Sequence, residues 1–197
     1  MNLKPQAGPQ EKAVRCNFVD ELFFAGGRGS GKSFILCYMF LMGVEKYGEH
    51  WKGVLFRRTY PELDEIIDLT RKMYREFYPD AEYKVGSHTW VFPNGATLKL
   101  RHIENEIDAD HYQGMSFSYI AFDELGSFND LKAYNKLKAC LRSGGADVPD
   151  KKIVSSGNPG GPNHQNLKKY FIDPAPEGTV IEGEDGMKRI YIHSVVT

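Results

Sequence analysis

The 197-residue sequence predicts an α/β fold: a mainly parallel central sheet flanked by helices, with an antiparallel hairpin near residues 88–103. Three observations carry this reading. Short apolar runs of strand length alternate with stretches of helical length, as in β-α-β units. The first such run enters a glycine-rich loop that opens a helix. Asn94-Gly95, set among alternating apolar and polar residues, is the strongest short hairpin signal.

The elements follow in order. The Pro/Gly/Gln-rich start, to about Gln10, reads as an extended arm, and residues 1–20 stand apart from a domain spanning 21–197. ELFFA (21–25) suits a buried strand, and KSFILCYMFLMGVEKYG (32–48) a helix that stops at Gly48. GVLFRR (53–58) is the next strand. An amphipathic helix follows, with Pro61 near its start and Leu63, Ile66, Ile67, Thr70, Met73, Tyr74 and Phe77 on one face. Beyond the hairpin and a polar connection, ENEIDADHYQG, comes the strand FSYIAFDE (117–124). A helix at about 129–141, a strand at 151–159, a helix near 163–172 and a last strand in GMKRIYIHSVV complete the chain.

Composition excludes several classes. Apolar residues at 41% and charged residues at 26% are ordinary for a soluble globular protein. A formal net charge of -1 does not mark a nucleic-acid binder, although a local basic strip can coexist with it. Cys16, Cys37 and Cys140 form no CxxC pair, which argues against a disulfide framework or zinc site and fits a reducing cytoplasm. No apolar leader, membrane-length run or repeat is present.

Gly26-Gly27-Arg28-Gly29-Ser30-Gly31-Lys32-Ser33 matches the phosphate-loop pattern G-x-x-x-x-G-K-[ST]. Glycines let backbone N–H groups turn inward and approach phosphate oxygens. The following helix adds its positive end. Lys32 is placed to reach the β- and γ-phosphates, and the Ser33 hydroxyl to complete a magnesium shell. A dinucleotide fingerprint fits less well, because it needs glycine where Lys32 stands. The fold class is therefore that of a P-loop NTPase.

Asp123 and Glu124 end a buried strand, on the ligand edge of an open α/β sheet. Asp123 is suited to hold magnesium, and Glu124 to orient or deprotonate an attacking water. That adjacent acid favours hydrolysis and places the fold in the RecA-like (ASCE) division. Guanine selectivity usually needs N-K-x-D, and Asn135-Lys136-Leu137-Lys138 fails at its last position, so ATP is expected. Ser155-Ser156-Gly157-Asn158-Pro159 ends another strand. Its amide could sense the γ-phosphate, or the segment could be a plain turn. Arg28, a long cation inside a turn, is a candidate for stabilising charge on the transferring phosphoryl group.

With these segments assembled, the chain resembles the ATPase domain of the large terminase subunit of tailed bacteriophages, the motor that packages DNA. The likeness includes GPQEKAV, FRRTYPEL, WVFPNGATLKLRHIENE, YQGMSFSYIAFDEL and SSGNPGG. It implies that Gln10 reads adenine, that residues 26–33 bind ATP, and that Ser33 and Asp123 hold Mg2+. It further implies that Glu124 activates water, with Lys32 and Arg28 as its catalytic partners, and that Ser156, Gly157 and Asn158 couple hydrolysis to motion. Implied partners are double-stranded DNA, a portal protein, a small terminase subunit and further copies in a ring, in the cytoplasm of an infected bacterium. Two departures matter. Many terminases carry a trans-acting arginine where this chain has Gln113, leaving Arg101 and Arg142 as candidates. Large terminases also continue into a nuclease domain, which is expected to be absent here, with Asp108 and Asp110 as solvated loop acids.

DNA contact needs cations against phosphates. Arg57-Arg58, the Arg71/Lys72/Arg75 cluster and Lys168-Lys169 are candidates, each weighed against an ordinary solvated surface. Arg71 and Arg75 share one helix face. Two other functions compete with packaging: a helicase-like DNA-dependent ATPase, and a slow nucleotide-gated assembly module.

Overall fold

The computed structural model describes residues 3–158 and 160–195. The strands are β1 (Glu21–Gly26), β2 (Lys52–Arg57), β3 (Glu82–Lys84), β4 (Thr89–Val91), β5 (Thr97–His102), β6 (Tyr119–Phe122), β7 (Lys152–Gly157), β8 (Ile181–Glu182) and β9 (Lys188–Ser194). The helices are α1 (Pro9–Arg15), α2 (Lys32–Tyr47), α3 (Leu63–Phe77), α4 (Glu106–Asp110), α5 (Lys132–Lys138) and α6 (His164–Leu167), the last running into a π-helical turn at Lys168–Ile172. All nine strands form one sheet in the order β3-β4-β5-β2-β6-β7-β1-β9-β8. From β5 to β9 every neighbouring pair is parallel. The β3–β4, β4–β5 and β8–β9 pairs are antiparallel.

The central strands are apolar throughout because both faces are covered. Leu22, Phe24, Leu55, Tyr119 and Ala121 face a core shared with α2 and α3. Their neighbours Phe23, Ala25, Val54, Phe56, Ile120 and Phe122 face a second core beneath α5 and α6. This two-residue alternation puts one helical layer on each side. Trp51 anchors the first core so closely to α2 that a Cβ on Gly43 would lie 2.1 Å from its ring.

Some elements differ from expectation. The supposed arm is helical from Pro9, because Pro9 pre-sets φ at the helix start and Glu11 lies in the first turn. Ala13 and Gln10 of that helix are buried, so the segment packs onto the domain. Phe77, placed by periodicity on the inner face, is 43% exposed at the end of α3, edge-on to Tyr38. The helix expected over 129–141 is confined to α5. The polar connection contains α4, whose cap Asn105 accepts hydrogen bonds from the N–H groups of Ile107 and Asp108. The β3 and β8 strands add antiparallel edges. Pro159 lies outside the described residues. Among those residues no helix is long and apolar enough to cross a membrane.

Candidate nucleotide site

The glycine loop leaves the carboxyl end of β1, and Asp123-Glu124 leaves that of β6. The intervening strand β7 ends in Ser156-Gly157, and Asn158 follows it. One edge of the sheet therefore gathers all three segments, where open α/β sheets hold ligands. In the loop Gly29 and Gly31 have φ of 81° and 73°, backbone that a side chain would strain. A Cβ on Gly31 would also fall 2.1 Å from Gln10 Nε2, so α1 seats its buried glutamine directly on the loop. Gln10 Oε1 meanwhile accepts a hydrogen bond from the Gln6 N–H at 2.8 Å.

Lys32 is buried at the start of α2. Its Nζ donates to the Gly27 carbonyl at 2.9 Å and lies 3.7 Å from Glu124 Oε1. One residue on, Ser33 Oγ donates to Asp123 Oδ2 at 2.8 Å. Gly27, Arg28 and Gly29 are exposed. Ser30 Oγ is buried with no hydrogen-bond partner among the described residues. Such an orphan hydroxyl costs about 1–3 kcal/mol unless something pairs with it.

Asp123 is fully buried. Its Oδ1 accepts from Ser156 Oγ at 2.7 Å, and the same hydroxyl accepts from the Glu124 N–H at 3.0 Å. Ser156 thus clamps both acids. Asp123 Oδ2 also accepts from Arg57 Nε at 2.7 Å, with Nη2 at 2.5 Å. The sequence offers Arg57 for DNA contact, and the structure corrects this: Arg57 is only 8% exposed and its guanidinium is paired with Asp123. The cause is register. Phe56 pairs with Phe122, and the Asp123 N–H donates to the Phe56 carbonyl, which brings the next residues of the two strands side by side. The charged ends of β2 and β6 were legible in the sequence, but their adjacency in the sheet was not.

Glu124 adopts left-handed backbone, φ 58° and ψ 50°, at a cost of about 1–2 kcal/mol for a non-glycine residue. Its carbonyl accepts from the N–H and hydroxyl of Ser127 at 2.9 and 2.7 Å, which holds the turn. Burial pushes the Glu124 carboxyl above the usual carboxylate range, against the opposing pull of Lys32. A raised pKa suits a proton acceptor. Asn158, past the end of β7, is exposed.

The other candidates have different partners. Arg101 Nη1 donates to the His88 and Leu100 carbonyls at 3.1 and 2.9 Å. Arg142 follows the bridge between Phe117 and Leu141, at the opposite edge of the sheet from the loop. Arg58 donates to the Ser127 carbonyl at 3.1 Å. Arg71 is half-buried over the Tyr83 ring, 3.8 Å from Asp68, whereas Arg75 is exposed. Asp108 accepts from the Glu104 N–H, and Asp110 pairs with Lys136 at 2.5 Å, both as surface contacts.

Magnesium is implied by the phosphate loop. Ser33 and Asp123 fit it: they are hard oxygen donors already in mutual contact, and Asp123 already attracts a cation, the Arg57 guanidinium.

Comparison with known proteins agrees with the fold. The large terminase of a thermophilic bacteriophage matches with a TM-score of 0.72 at 18% identity, covering 97% of this chain and 46% of that one. This chain therefore spans about half the length of that terminase. The N-terminal domain of the DNA packaging ATPase from bacteriophage phi29 matches at 0.60 and 17% identity, covering 96% and 95%. The ATPase domain of the Thermus phage P74-26 large terminase matches at 0.60 and 14%, covering 96% and 80%. The first of these terminases has also been solved with ADP and with ATP-gamma-S. No curated protein matches. The profile described as "Terminase large subunit, T4likevirus-type, N-terminal" matches residues 23–153, well over half of the sequence, and so the chain belongs to the terminase large-subunit family.

Proposed function

We propose that the chain hydrolyses ATP and that its turnover drives double-stranded DNA into a procapsid. One observation carries the chemistry: Lys32 Nζ stands 3.7 Å from Glu124 Oε1 while Ser33 Oγ bonds Asp123, so phosphate, metal and water ligands converge at one sheet edge. The orphan Ser30 hydroxyl and the close seating of Gln10 on Gly31 further support nucleotide binding. The step to DNA movement rests on family membership.

In this reading residues 26–33 wrap the phosphates, and Gln10 contributes to adenine recognition. Magnesium held by Ser33 and Asp123 would neutralise phosphate charge. Glu124 takes a proton from water as its oxygen bonds to the γ-phosphorus. The bond from that phosphorus to the β–γ bridging oxygen breaks, and ADP leaves with inorganic phosphate. Lys32 and Arg28 offset charge on the transferred group. Asn158 senses its departure and Ser156 ties that signal to both acids. Copies of the chain form a ring on a portal protein, with a small terminase subunit as a further partner, in the cytoplasm of an infected bacterium. Arg101 or Arg142 would serve in trans, and Arg58, Arg71 and Arg75 would contact DNA. No nuclease activity is expected of this chain, and metal-dependent cleavage of plasmid DNA by the pure protein would refute that.

The decisive experiment is Glu124→Gln. Turnover should fall by roughly 10²–10⁴-fold, the usual worth of a positioned base, while ATP binding persists. Undiminished turnover would remove Glu124 from the mechanism. Helicase activity without a procapsid would favour a helicase-like ATPase. Assembly that survives the substitution would favour a nucleotide-gated module.

A further inference from the structure

Between α5 and the helical segment 164–172 lies a cleft of about 410 Å3, lined by Lys132, Asn135, Asn166, Lys169, Tyr170 and Arg189. Its cations differ from those around it. Lys136, Lys138 and Lys168 are each tied to an acid: Glu106 at 3.1 Å, Glu21 at 3.1 Å and Asp173 at 2.9 Å. Lys132, Lys169 and Arg189 have no carboxylate oxygen within 4.0 Å among the described residues. The acid that shares the cleft, Asp130, accepts from the Lys132 backbone N–H at 2.9 Å. Arg189 lies 4.0 Å over the Tyr170 ring, and its buried Nε has no partner among the described residues. With Nε buried, the terminal nitrogens of Arg189 are the donors left for a phosphate oxygen pair, in the field of nearby Asp185.

The cleft is also joined to the nucleotide edge. One wall, α5, follows the loop from Glu124, and the other follows the loop from Asn158. Fully buried Asn163 fastens the two. Its Nδ2 donates to the Leu125 carbonyl at 3.2 Å and the Asp130 carbonyl at 3.1 Å, and its backbone N–H to the Gly126 carbonyl at 3.3 Å. The loops touch so closely that a Cβ on Gly161 would fall 2.7 Å from the Gly126 oxygen. A shift in either loop is thereby passed to a wall of the cleft.

We propose that this cleft grips a backbone phosphate of duplex DNA through Lys132, Lys169 and Arg189, and that Asn163 makes the grip respond to the state of the nucleotide. The proposal rests on the packaging reading and gives it a contact surface. A chain with net charge -1 cannot hold DNA by its overall field, so its affinity has to come from a local set of uncompensated cations.

The test measures binding of a short fluorescent DNA duplex to the full chain across a range of salt concentrations. Lys132 and Lys169 are exposed, and thermal melting checks that Lys132→Ala/Lys169→Ala folds. The double variant should bind at least about tenfold more weakly at low salt. Its slope of log K against log salt should be shallower by about 0.9, the value for one lost phosphate contact. Wild-type affinity and slope in that variant would overturn the cleft while leaving the packaging reading standing. Loss of slope in Arg71→Ala/Arg75→Ala instead would move the grip to α3 and also overturn it. Displacement of the duplex by polyglutamate at equal charge would make the cleft an acidic-peptide site, again against the proposal. A wild-type chain with no salt-dependent DNA binding would remove both the proposal and the packaging reading.

Discussion

Asp123 and Glu21 are both fully buried carboxylates, and both are satisfied by neighbouring side chains. Glu21 accepts from the Tyr134 hydroxyl at 2.6 Å, the Tyr170 hydroxyl at 3.0 Å and Lys138 Nζ at 3.1 Å. Asp123 accepts from two serine hydroxyls and the Arg57 guanidinium. The difference is where each sits. Glu21 opens β1, flanked by Ile153 and Arg189, at the edge away from the glycine loop. Its partners are two phenols and a lysine that also pairs with Asp185. Asp123 ends β6, and its partners reach it from α2, β7 and β2 beside Lys32 and Glu124. A buried acid is thus no marker of function by itself. The ligand edge distinguishes it, together with partners that an incoming ligand could replace.

The largest effect should come from Asp123→Asn. It leaves the Arg57 guanidinium buried beside a neutral amide, and breaking a buried pair from one side costs about 3–5 kcal/mol. Urea unfolding should show that loss, and ATP turnover should fall at least about a hundredfold alongside it. Glu21→Gln should be milder, at about 1.5–3 kcal/mol. An amide oxygen can still accept from a phenol, and Lys138 keeps Asp185. Turnover per folded molecule should stay within about twofold of wild type. If Glu21→Gln stops turnover while the fold persists, the contrast between the two edges fails.

How much of this contrast the sequence carries depends on the range of each interaction. The loop, the acid pair and the order of strands and helices are local patterns, and residues 26–33 and 119–124 announce them. Arg57 is different. Its charge is visible, but its use depends on β2 pairing with β6 across a helix and a hairpin, a long-range choice that no window of residues encodes. Asn163 is harder still, because a buried amide in Gly-Pro-Asn reads as a turn until its three carbonyl partners are known. The α1 helix could have been found from Gly8-Pro9 and Glu11, the ordinary start signal for a helix.

Another buried charge has only neutral hydrogen-bond partners. Lys152 opens β7 at 1% exposure, and its Nζ donates to the Asn17 and Asp150 carbonyls at 2.7 and 2.6 Å. Burial depresses its pKa to about 8 despite the pull of Asp150 and Asp20. The folded chain therefore gives up this proton near pH 8, whereas the unfolded chain keeps it to about 10.4. Between those values the unfolded state binds more protons, so this group makes stability rise with pH. The contribution is complete above the unfolded pKa and is lost as pH falls through about 8. The full slope is about 1.4 kcal/mol per pH unit, so wild type should gain about 1 kcal/mol on Lys152→Met between pH 8 and 9 in urea unfolding. Buried Cys37, whose thiol burial pushes up, works in the opposite direction and cancels in the difference. A flat difference would mean that Lys152 stays charged in the fold, and that two carbonyls can do for a buried ammonium what Asp123 does for Arg57.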